Sequence, residues 1–80
     1  MSWQIKSKTV VRGRMMKKYQ AVLSRPDNVA RVRAAKRTIE RAGGKVEIIP
    51  SNAGMTAVIL TLPDQYVPEH FLPGMPFYPL

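Results

Sequence analysis

His70, the only histidine in the chain, stands next to Glu69, an imidazole–carboxylate pair of the kind that can move protons. No nucleophile is tied to it by spacing, so the pair reads as surface groups of a short turn. Asp64, Glu69 and His70 are the only plausible metal donors, scattered and not fixed on a rigid element. With no cysteine, the chain has no disulfide framework, thiolate metal site or thiol nucleophile. Gly43-Gly44 superficially suggests a phosphate loop, but it follows a helical pattern where a phosphate loop would precede one. A helix C-terminus carries the negative end of the dipole and repels phosphate, so the glycines read as a helix stop. No catalytic constellation emerges, and neither metal nor cofactor is expected. The chain reads as a non-enzymatic protein.

What remains is charge. All thirteen Lys and Arg residues lie between Lys6 and Lys45, against only Asp27 and Glu40, whereas residues 46–80 hold three acids and no base. Such lopsidedness produces a long-range field that attracts polyanions or acidic protein faces. The expected contact residues are Lys6, Lys8, Arg12, Arg14, Lys17 and Lys18 upstream, and Arg33, Lys36, Arg37 and Arg41 downstream. If nucleic acid binds, the contacts should be to backbone phosphates. The arginine ridge has no interleaved aromatics for base stacking, and the strands from Lys45 and Met55 contain none.

These residues need elements to hold them. Ser24-Arg25-Pro26-Asp27 fits a capping box, with Pro26 in the first helical turn. On a helical wheel from Val29 to Ala42, Val32, Ala35, Ile39 and Ala42 form one stripe. Arg33, Lys36, Arg37, Glu40 and Arg41 lie opposite. One face closes a core and the other is charged, and Gly43 supplies the stop.

Upstream, Trp3 to Val11 alternates loosely, as an edge strand or extended arm would. Arg12-Gly13-Arg14 could turn the chain, and Met15 to Lys18 could equally begin a short helix. Tyr19 to Leu23 alternates as a core strand. After the helix, Lys45–Ile49 is β-branched and ends at Pro50, Ser51 to Gly54 is turn chemistry, and Met55–Leu62 reads as the central strand. Residues 1–16 are therefore read as a basic arm or edge strand and 17–80 as one small domain.

The order β-α-β-β, then a short helical turn between Asp64 and Phe71 and a final extended piece, predicts an α+β fold. It is that of a ferredoxin-like βαββαβ sandwich with an antiparallel sheet and a degenerate last strand. Val58 and Leu60 would lie on one face of the central strand and Ala57, Ile59 and Thr61 on the other. With both faces apolar, the sheet face away from the helix is expected to be covered by the tail, the arm or a second chain. Five of the seven prolines lie in the tail, from Pro63 onward. Its Phe71, Leu72, Met75, Phe77, Tyr78 and Leu80 either cap the molecule's own core or insert into a neighbour.

Ile39-Glu40-Arg41-Ala42-Gly43-Gly44-Lys45-Val46 with Ile49 resembles the end of the CpcD-like phycobilisome linker domains, small basic modules that sit inside rings of acidic antenna proteins. In element order, Tyr19 to Leu80 resembles the subtilisin-type propeptide and inhibitor domain, with a strand ending at Leu62-Pro63. That second resemblance implies a module that docks a sheet face and an extended tail on a protease.

Eighty residues make one domain, which buries roughly 60–65% of the surface its unfolded chain exposes, so a partner or a second copy would add needed burial. No apolar run reaches the ~20 residues of a membrane span, and the amino terminus lacks a secretory core. A cytoplasmic, membrane-free setting is expected. The function expected is capture of an acidic protein surface or polyanion by the basic helix, with apolar sheet and tail used for protein association or self-association. The rival is a basic nucleic-acid-binding accessory protein.

Overall fold

Alternation and β-branching lay down the strands, and the computed structural model describes them within residues 15–51 and 53–80. The elements run β1 (Met16–Leu23), α1 (Pro26–Arg41), β2 (Lys45–Pro50), β3 (Thr56–Pro63), a single 3-10 turn (Pro68–His70) and β4 (Tyr78–Pro79). Most of the arm read at residues 1–16, with Lys6, Lys8, Arg12 and Arg14, lies outside the described residues. Its last residue, Met16, opens β1. Met16 to Lys18 are thus strand, and the short-helix alternative does not apply to them.

The protein is α+β, and the described residues form one α-helix and a four-stranded antiparallel sheet in the order β2-β3-β1-β4. Register explains the burial. Tyr19 stands opposite Leu60, which faces Val46, and Ala21 stands opposite Val58, which faces Ile48; these rows point at the helix. Between them, Gln20 stands opposite Ile59, which faces Glu47, and Val22 stands opposite Ala57, which faces Ile49, on the other face. From α1, Val32 and Ile39 are fully buried against the inner rows, with Val29 and Ala35 packed beside them. The wheel phase read from the sequence is the one adopted.

The helix start differs from the sequence expectation. Arg25 is the N-cap, in extended conformation, and no side chain caps the helix; Ser24 lies one residue outside. Proline at the first helical position explains this. Its ring disfavours helical backbone in the residue before it, so the boundary is set at Arg25 and the serine hydroxyl is left out of reach. Ser24→Ala is therefore expected to change stability by less than about 0.5 kcal/mol in urea titration, where loss of a working cap costs ~1 kcal/mol.

The helix stop is as expected. The Gly43 N–H donates to the Glu40 carbonyl and the Gly44 N–H to the Ile39 carbonyl, at 3.0 and 2.9 Å, with Gly43 at φ 94°. That is the Schellman arrangement, which satisfies two carbonyls the helix would otherwise leave open.

The tail closes the helix side of the core. Leu72 and Met75 are buried, and Tyr66, Phe71 and Phe77 pack against the same cluster. A second helix does not form: Pro68 lacks the N–H that a longer helix from Asp64 would need, and only one 3-10 turn follows it. β4 is two residues long, adding Tyr78 opposite Gln20 and Pro79 opposite Tyr19. Among the described residues, no helix is long and apolar enough to cross a membrane.

Candidate partner-binding surface

The α1 face turned away from the sheet presents Arg33, Lys36, Arg37 and Arg41, all exposed. Arg33, Arg37 and Arg41 follow one another at steps of four residues, so their Cα atoms advance along the helix by about 12 Å in all. Lys36 Nζ lies 3.8 Å from Glu40 Oε2, an exposed pair one turn apart that contributes little to stability. Among the described residues, Arg33, Arg37 and Arg41 enter no ion pair. Three guanidinium groups are thus held in a row by an element whose other face is locked into the core.

Of the other expected cations within the described residues, Lys17 and Lys18, neither joins that row. Lys17 lies 3.4 Å from Asp64. Lys18 alternates with the buried Tyr19, so it projects from the sheet face opposite α1. Among the described residues, the expected cations are therefore divided between the row on α1 and the two lysines of β1, on either face of the sheet. Two arginines outside the expected contact residues also sit on or beside α1. Arg25 lies 3.7 Å from Asp27, and Arg31 Nη2 donates to the Pro73 carbonyl at 3.0 Å. The Arg31 bond joins residues 42 apart and ties the helix to the tail loop, which no sequence periodicity would reveal. Arg25 and Arg33 also border a shallow cleft of about 300 Å³ between the start of α1 and Gly54.

Of the tail residues expected at an interface, Leu72 and Met75 are spent on the protein's own core, and Phe71 and Phe77 are half-buried against it. Tyr78 is 65% exposed and shares the outer sheet face with Val22 and Ile49, themselves 48% and 50% exposed. The tail does not cover that face. Leu72 and Met75 join the core cluster, and Phe77, next to Tyr78, packs against the same cluster.

The residues that first suggested chemistry have structural partners. His70 Nδ1 accepts the Val67 N–H at 3.2 Å, with its ring edge-on to Tyr66 at 6.0 Å. Glu69 Oε2 accepts the Gly74 N–H at 3.4 Å. Both side chains help to fold the tail turn, and among the described residues no group of three or more His, Cys, Asp or Glu could hold a metal ion. Compared with protein-family models, curated proteins and solved structures, the chain matches none.

Proposed function

We propose that this chain is a non-enzymatic binding module on a ferredoxin-like βαββαβ framework, and that it captures an acidic protein surface through Arg33, Arg37 and Arg41. The observation that carries the reading is the row of three exposed guanidinium groups, without ion-pair partners among the described residues, on a helix whose packing does not need them. The ferredoxin-like part rests on the position of β3 between β1 and β2, a split βαβ unit. The 3-10 turn at Pro68 stands where that pattern has its second helix. The resemblances to phycobilisome linkers and subtilisin propeptides point the same way, since both act by docking on a larger protein.

An acidic protein is favoured over nucleic acid because Lys17 is already paired and Lys18 faces the other way. A row of about 12 Å suits a cluster of carboxylates better than a duplex, which rewards a long, continuous basic track. Three arginines at phosphates would give a log–log salt slope of about −2.7 on duplex DNA.

Arg33→Glu with Arg37→Glu is expected to leave folding within about 1 kcal/mol of wild type, since both positions are exposed, while abolishing retention of an acidic protein partner in pull-down. Undiminished retention by the double variant would remove the ridge from the mechanism. Tight duplex binding by the wild type, weakening with salt at least that steeply, would favour the nucleic-acid reading instead.

A further inference from the structure

The backbone hydrogen bonds identify a second surface, at the outer edge of β2. The Leu80 N–H donates to the Lys18 carbonyl, and the Asp64 N–H donates to the Met15 carbonyl, at 2.8 and 2.9 Å. In an antiparallel strand, bonding direction alternates, so Lys18, Gln20 and Val22 point their backbone groups toward β4 and the odd-numbered residues toward β3. The same alternation carries across β3: Thr61, Ile59 and Ala57 bond to β2, where they meet Lys45, Glu47 and Ile49. Val46 and Ile48 must then aim their N–H and C=O groups away from the sheet. Among the described residues no strand lies there, because β2 is the terminal strand.

Unpaired edges invite another strand, and natural proteins block them with charge or proline. Here the charges are complementary to themselves. Lys45 and Glu47 are both exposed and project from the outer sheet face, two residues apart. We propose that the outer edge of β2 is a homodimer interface, in which two copies pair antiparallel about a two-fold axis through Val46 and set each Lys45 opposite Glu47 of the second copy.

Alternative registers are disfavoured by the same side chains. A two-fold axis perpendicular to the sheet keeps each face on its own side, so it must pass through a residue. Centred on Glu47, it would oppose two carboxylates directly. Centred on Ile48, it would pair Val46 with Pro50, which has no N–H to give, and set Glu47 against Ile49. Centred on Val46, it exchanges two bonds between the Val46 residues, lets each Ile48 N–H reach a Gly44 carbonyl, and forms two Lys45–Glu47 contacts. The eight-stranded sheet that results carries both α1 helices on one side, so two arginine rows face the same way and can engage one partner bivalently.

The test uses the full chain and sedimentation equilibrium over a concentration series. Wild type is expected to dimerise, and Lys45→Glu or Glu47→Lys alone to weaken the dimer by about tenfold or more, because each opposes like charges twice. Mixed in equal amounts, the two variants should form a heterodimer tighter than either self-pair, and the double variant Lys45→Glu/Glu47→Lys should recover wild-type association. Circular dichroism identical to wild type would establish that each variant is folded. A monomeric wild type, single variants that dimerise as tightly as wild type, or a mixture without preferential heterodimer would each overturn the proposal.

Discussion

Ile39→Ala is expected to destabilise the protein by ~2–5 kcal/mol, the range for deleting a large aliphatic side chain from a closed core. Ile39 is fully buried, near the end of α1, where its side chain lies close to Gly44 beside β3. Alanine is the better helix former, but by only a few tenths of a kcal/mol, too little to offset a cavity. Small domains hold ~5–15 kcal/mol in total, so the variant should lose a large part of its margin. Urea titration followed by circular dichroism reads the effect as a lower midpoint at unchanged slope. The contrast is Arg37→Ala on the exposed face of the same helix, expected to move stability by no more than ~0.5 kcal/mol. Equal losses at the two positions would contradict the assignment of inner and outer faces.

That contrast was legible in the residues because a helix has a fixed period: once Val32, Ala35 and Ile39 fall on one stripe, the arginines have nowhere else to go. The stop at Gly43-Gly44 and the strands on either side of Gly54 were legible for related reasons, since each depends on local backbone chemistry. The start of α1 was not, because two local signals competed. Ser24-x-x-Asp27 offered a cap, and Pro26 fixed the boundary one residue later. The tail posed a different problem. An apolar, proline-interrupted segment has no periodicity that distinguishes its own core from a neighbour's, and only the parity of β4 beside β1 sends Phe77 inward and Tyr78 outward. The same parity splits Lys17 from Lys18, which adjacency in sequence had placed together. Long-range contacts such as Arg31 to Pro73 leave no local mark at all.

The chain pairing that joins helix to sheet makes Gly44→Ala the second large effect, for a reason unrelated to backbone angle. A methyl group at Gly44 would lie 2.7 Å from the Thr61 carbonyl oxygen, 2.8 Å from Ile39 Cγ2 and 3.1 Å from Leu62 Cδ2. The nearest obstacle is backbone of β3, hydrogen-bonded on both sides, which cannot step aside as a side-chain tip could. A cost of ~1–3 kcal/mol or more is expected, as for overpacking elsewhere. Gly54→Ala separates sterics from conformation: nothing lies within 4 Å of its added methyl, but φ is 76°, so only the left-handed penalty of ~1–2 kcal/mol applies. Combining Ile39→Ala with Gly44→Ala should be less damaging than the two losses added, because truncating Ile39 removes the 2.8 Å clash and the new methyl fills part of the cavity. The relief must be incomplete, since the Thr61 carbonyl stays where the sheet holds it. A double-mutant cycle in urea that returned strict additivity would mean that Ile39 and a methyl at Gly44 do not compete for this space, leaving the Thr61 carbonyl as the source of the Gly44→Ala cost.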